Sequence, residues 1–148
     1  MHYFDILTIL CVGLMIGNEF AMSVFVNPVV WQLEGHAQAK ASSLFAGSLG
    51  KTMPFWYGLC LLLMLIEAYL RRHEPALVSL LSASAIWIAI VIYSISALVP
   101  INNRIAVLES DALPAGWQKE IKRWDTLHRW RIVFLTIAMV LLLRAILQ

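Results

Sequence analysis

The chain has 148 residues, of which 61% are hydrophobic and only 14% charged, with a formal net charge of +2. A soluble domain carries about 25% charged residues, so the composition excludes an ordinary water-soluble fold and predicts one integral membrane domain over residues 1–148. The small charge, with no arginine-rich arm and no zinc-type cysteine spacing, argues against a nucleic-acid partner. Cys11 and Cys60 lie in apolar runs and read as buried thiols.

A membrane helix needs about 20 apolar residues. The first span runs from about Ile6 to Val26 and ends at Asn27-Pro28. With no basic leader and no small-residue cleavage site, it reads as a retained helix rather than a signal peptide. Gly13, Gly17 and Ala21 recur every four residues. Such a stripe lets helices approach closely, so its partner is another span or a second copy of the chain in a homo-oligomer. Glu19, Ser23 and Asn27 repeat with the same spacing and give the second half of this helix a polar stripe. A long loop follows, with a small-residue helical lead-in over 36–51 and His36 read as solvated. The second span covers about Met53 to Leu70, entered past Lys51 and Pro54. Its Glu67, four residues before Arg71 and near the level of Arg144, reads as an interfacial ion pair.

The third span, about Ala76 to Val99, has no charge and ends at Pro100. Ala89, Tyr93, Ser96, Pro100 and Asn103 share one helical face that turns polar toward its end, flanked by Asn102 and Arg104. The fourth span covers about Trp130 to Leu147. Its helix is expected to begin near Ala115, just behind Pro114. Trp117, Ile121, Trp124, His128, Arg131 and Leu135 form one face of it, aromatic first, then ionisable, then aliphatic. The basic, tryptophan-rich stretch before Trp130 reads as an amphipathic interfacial helix, and Trp31, Trp56, Trp117, Trp124 and Trp130 as an aromatic belt. The expected fold is all-α, a four-helix transmembrane bundle with an amphipathic interfacial helix before the fourth span. His2 and His73 read as solvent-exposed.

Four spans put both termini and the turn at Arg71-Arg72 on one side, here end A, and the two long loops at end B. Arg71, Arg72 and Arg144 at end A face Lys40, Lys119, Lys122 and Arg123 at end B once basic residues that could serve a site are set aside, so the positive-inside rule leaves the orientation open. The topology does bring polar residues together. The first and third helices run toward end B and the second and fourth start there. Glu19 and Asn27, Lys51, Tyr93, Asn102, Asn103 and Arg104, and Asp125, His128 and Arg131 therefore occupy the same half of the membrane. Ionisable groups at that depth are costly and mark a functional site by default.

Three chemistries fit this set. Glu19 with Asp125 and His128 could hold a transition metal such as iron, manganese, zinc or copper, because Asp-x-x-His resembles the Glu-x-x-His element of carboxylate-bridged bundles. Without metal or other cofactor, His128 oriented by Asp125 could be a general base, and Arg131, Asn102 and Asn103 could stabilise an anion forming on the substrate. Alternatively, a closed polar network only fixes helix register, in a non-catalytic protein binding a lipid, a quinone or a partner subunit.

Gly17-Asn18-Glu19-Phe20, Phe25-Val26-Asn27-Pro28, Met53-Pro54-Phe55-Trp56, Val99-Pro100-Ile101-Asn102-Asn103-Arg104-Ile105 and Trp124-Asp125-x-x-His128-x-x-Arg131 resemble the anthrone oxygenase-like family of small four-span membrane proteins, mostly of unknown function. Pro-x-Asn-Asn followed by Trp-Asp-x-x-His-x-x-Arg is the most specific element. The resemblance implies oxidation of anthrones to anthraquinones by molecular oxygen, with roles for Asn102, Asn103, Asp125, His128 and Arg131. The expected protein is thus a membrane oxidoreductase acting on a hydrophobic aromatic or phenolic small molecule drawn from the lipid bilayer. Catalysis is expected from His128, Asp125, Arg131 and Glu19, and substrate binding from Asn27, Tyr93, Asn102, Asn103, Arg104 and Trp124. The inner (plasma) membrane of a bacterium is the expected location.

Overall fold

Two prolines that would ordinarily end a helix instead widen one. The computed structural model describes residues 2–109 and 112–147, and of His2 the backbone alone. Helix α1 runs His2–Ala21, passes through a π-helical turn at Met22–Val26 and continues as an α-turn at Asn27–Val30. Helix α2 is Gly35–Leu70. Helix α3 runs Ala76–Tyr93, passes through a second π turn at Ser94–Leu98 and continues over Val99–Ala106. Helix α4 is Trp117–Ile146.

A proline ring lacks an N–H and collides with the carbonyl four residues back. Pro28 and Pro100 each follow a π turn, in which the N–H of Asn27 reaches back to Met22 O and that of Val99 to Ser94 O. The wider turn accommodates the ring without stopping the helix. The first and third spans therefore do not end at Asn27-Pro28 and Pro100 but extend to Val30 and Ala106. The inward face of α3 is not the expected one. Of the expected stripe, Ala89, Ser96, Pro100 and Asn103 are exposed, while Ile90, Leu98, Ile101 and Ile105 face inward.

Three of the four rods, over residues 3–30, 35–70 and 76–106, are long and apolar enough to cross a membrane, as expected of an integral membrane protein. Helix α4 is not among them, since Arg129, Arg131 and Arg144 interrupt its apolar half. Around the bundle, α1 packs on α2 and α4, and α3 packs on α2 and α4, so the spatial order follows the chain. Val12, Met15, Cys60, Met64, Leu80, Trp87, Leu135 and Leu142 form the apolar core. Gly13 faces α4 of the same chain, where a Cβ would lie 3.7 Å from Met139.

The tryptophan-rich stretch is not a separate helix lying flat before the fourth span. It is the opening of α4 itself, and Gly116 starts that helix with φ +81°, a left-handed conformation that favours glycine. Its inner residue Ile121 packs on Ala46, Ile101 and Ile105, with Trp117 and Trp124 alongside. At end A, Glu67 does pair with Arg71, and the carboxylate is fully enclosed by the bundle. Asp5 meets the same guanidinium at 3.0 Å and Thr8 donates to Glu67 at 3.2 Å, while Arg144 is exposed.

Candidate functional site

All four helices contribute to a buried polar cluster in the end-B half, α4 with two groups. Glu19 comes from α1 just before its π turn, Tyr57 from α2, Ser94 from the π turn of α3, and His128 and Arg131 from α4. Glu19, His128 and Arg131 keep only 2%, 1% and 9% of their surface exposed. Arg131 Nη2 donates to Glu19 Oε2 at 2.6 Å and to His128 Nδ1 at 2.8 Å. Its Nη1 reaches Ser94 Oγ at 3.4 Å, and its buried Nε has no hydrogen-bond partner among the described residues. The Tyr57 hydroxyl donates to Glu19 Oε1 at 3.1 Å, and the Tyr57 ring lies 5.5 Å from the guanidinium.

The histidine tautomer follows from its partners. His128 Nε2 faces the backbone carbonyl of Glu19 at 3.1 Å. A carbonyl only accepts, so Nε2 carries the hydrogen and Nδ1 keeps its lone pair. That lone pair points at the Arg131–Glu19 pair, with Glu19 Oε2 3.2 Å away. Trp124 stacks on the imidazole with ring centroids 4.6 Å apart and planes 13° from parallel. Glu19 and Arg131 cancel in charge, which makes an ion pair tolerable at this depth.

Asp125 does not orient His128. Its carboxylate accepts from Asn27 Nδ2 at 2.9 Å and Trp31 Nε1 at 2.6 Å, both on the last turns of α1. Both Asp125 and Arg131 lie three residues from His128; the pair that forms is His128–Arg131, and Glu19 is the carboxylate beside the imidazole. The trio Glu19, Asp125 and His128 is consequently not brought together as metal ligands. Among the described residues no group of three or more His, Cys, Asp or Glu converges in a metal-binding arrangement, and a guanidinium already covers Glu19 Oε2.

A cavity of about 350 Å³ opens onto this cluster. Glu19, His128, Arg131, Asn102, Asn103 and Trp124 line it, all of them expected site residues, together with Tyr57 and the apolar Met53, Leu61 and Leu98. A second space of about 60 Å³, walled off by Met22 and Trp124, holds Asn27, Trp31 and Asp125. Tyr93 lines neither, since its hydroxyl ties α3 to α4 through Leu127 O at 3.3 Å. Arg104 turns outward to an exposed pair with Glu120 and leaves the substrate-binding set. Lys51 and His36 are exposed.

Sequence reasoning missed Tyr57, Ser94 and the glycines of α2. Gly50, Pro54 and Gly58 are spaced by four, a signal that was available. Gly50 is needed for close approach, because a Cβ there would sit 2.8 Å from Asn102 Nδ2, which donates to Ala46 O at 3.0 Å. Gly50→Ala is expected to break that bond, push the carboxamide off the cavity wall and cost about 1–3 kcal/mol. Thermal unfolding of the purified variant checks it, and an unchanged midpoint would mean the side chain moves aside freely.

The model of the anthrone oxygenase family matches residues 42–141, which include Tyr57, Asn102, Asn103, Asp125, His128 and Arg131 but not Glu19. No curated protein and no solved structure matches the chain.

Proposed function

The chain belongs to the anthrone oxygenase family, and from that premise we propose that it is a four-span membrane oxidoreductase that oxidises a hydrophobic aromatic or phenolic carbon acid with molecular oxygen. The observation that carries the reading is the 350 Å³ cavity, apolar for most of its wall, in which an imidazole, a carboxylate and a guanidinium meet at one end. A network serving only to fix helix register would leave no room for a ligand.

Anthrone is the working substrate. When the Arg131 guanidinium turns to the substrate oxygen it gives up its hydrogen bond to His128 Nδ1; the freed nitrogen then takes a proton from the methylene carbon, and the developing imidazolium is stabilised by Glu19 Oε2 at 3.2 Å. The electron pair left on carbon delocalises onto the ring-carbonyl oxygen, which Arg131 holds through its otherwise unpartnered Nε. Asn102 and Asn103 supply further donors at the wall. The carbanion reduces dioxygen and binds it as a peroxide, which collects the proton from His128. Loss of the second methylene proton then breaks the O–O bond, forms the new carbonyl and expels water. One anthrone and one dioxygen thus give one anthraquinone and one water.

Oxygen uptake by the purified protein in lipid nanodiscs, with anthraquinone absorbance recorded in parallel, tests the proposal. Uptake and product should rise together, well above uncatalysed autoxidation. A rate no greater than that of heat-denatured protein would sink it. Anthraquinone binding without uptake would favour the alternative, a membrane protein that binds a flat apolar ligand such as a quinone.

A further inference from the structure

We infer that the cavity takes its ligand sideways from the lipid, through a window between α2 and α3 that Pro54 and Gly58 keep open. The residues that line the cavity and are also exposed locate the window. On α2 they include Gly50, Pro54 and Gly58, and on α3 Ile95, Val99 and Asn103. Each set is spaced by four, so each is a single stripe along its helix. The two helices are neighbours in the bundle, and their stripes face each other across one outer seam.

The seam is tied shut above and below. Toward end B, Asn102 Nδ2 donates to Ala46 O at 3.0 Å. Toward end A, Trp87 Nε1 donates to Tyr57 O at 3.1 Å. Asn102 fills the space over Gly50, where a Cβ would lie 2.8 Å from its Nδ2, so Gly50 belongs to the upper tie. From Gly50 to Gly58 the seam runs about 12 Å along α2 at a rise of about 1.5 Å per residue; α2 offers only a ring at Pro54 there, and Gly58 at the lower edge has nothing within 4 Å of where a Cβ would be, so a flat ring system enters edge-on. Both flanking helices are long and apolar enough to span a membrane, and Pro54 and Gly58 lie in the apolar stretch of α2 from Met53 to Leu70, which is why the route proposed is through lipid rather than water. Inside it waits Arg131, nine-tenths buried, with an unpartnered Nε. The matching ligand is a flat apolar molecule that dissolves in lipid and carries one acceptor oxygen for that guanidinium.

The inference rests on the cavity being the substrate site, but its test needs no turnover. Ser94→Cys, in a background with Cys11→Ala and Cys60→Ala, puts the chain's single thiol inside the cavity, and the neighbouring Arg131 favours the reactive thiolate. The protein is reconstituted in vesicles and exposed on both faces to N-phenylmaleimide, which dissolves in the bilayer, or to a sulfonated maleimide, which does not. Only the apolar reagent should label. Gly58→Leu, at a position where a Cβ meets open space, should fill the lower edge and slow labelling about tenfold, equivalent to about 1.4 kcal/mol. Ile95→Trp blocks the same seam from α3 and reads the result if Gly58→Leu does not fold. Gly17→Leu, at an exposed glycine of α1 with open space around it, should change nothing. Labelling by the sulfonated reagent, no labelling by either, or blocking variants that label at the parent rate would each overturn the window. Absent oxygen uptake with the expected labelling pattern would instead overturn the oxygenase reading and leave the window standing.

Discussion

Arg131→Leu is expected to destabilise the protein by about 3–5 kcal/mol, the range for breaking one partner out of a buried ion pair. The reason lies in what is left behind. Glu19 is 2% exposed, and without Arg131 it keeps the Tyr57 hydroxyl and the imidazole as partners. Glu19→Gln alone should also destabilise, because it strands a guanidinium that is 9% exposed. The double variant Arg131→Leu, Glu19→Gln removes both charges and should recover much of the loss, a coupling of up to about 3 kcal/mol in a double-mutant cycle. None of the three should oxidise anthrone, since each lacks the group that holds the anion or the one that steadies the imidazolium. Denaturant titration in mixed micelles gives the cycle, and oxygen uptake gives the activity. Losses that simply add would mean the two charges act independently. Activity recovered together with stability in the double variant would mean the pair is structural only.

The sequence was most legible where one helix face could be followed for many turns. The α4 face from Trp117 to Leu135 continues in the structure through Ala138, Leu142 and Ala145, all buried. Glu19 and Ser23 on α1 are buried as their spacing predicts, and the alternating direction of the helices was enough to gather Glu19, His128 and Arg131. What spacing does not contain is the tertiary partner. Asp125 and Arg131 flank His128 symmetrically in sequence, and the choice between them was made by α1. Its last turns bring Asn27 and Trp31 to Asp125, while Glu19 draws Arg131. Those last turns exist because a π turn accommodates Pro28, a backbone response that a proline in sequence does not announce. On α3 the inward face is set ahead of the second π turn, by Trp87 and Ile90, so the polar stripe from Ala89 through Ser96 and Asn103 lies outside while Ser94 meets Arg131. Glu67 was legible as the partner of Arg71, whereas its enclosure was not, since Asp5 and Thr8 join the pair from a helix far away in sequence.

His128→Ala should lower anthrone turnover by about 10²–10⁴-fold, the usual contribution of a general base, with the bundle still folded. Some stability will go too. The substitution leaves the Glu19 carbonyl without the N–H that now meets it at 3.1 Å, and an unsatisfied buried acceptor costs about 1–3 kcal/mol. It also removes the ring stacked on Trp124. The alanine variant alone therefore cannot separate a proton-transfer role from a bracing role. His128→Gln can, because its carboxamide keeps an N–H donor for the Glu19 carbonyl but has no basic nitrogen. Stability should return with glutamine and turnover should not. Added imidazole supplies the complementary test: it should restore part of the alanine variant's turnover, with a pH dependence that follows the imidazole added. If glutamine restored turnover, or imidazole had no effect while the alanine variant stayed active, the base would have to be sought elsewhere in the cavity. Glu19 would be the first group to try, since its carboxylate contacts both the guanidinium and the imidazole.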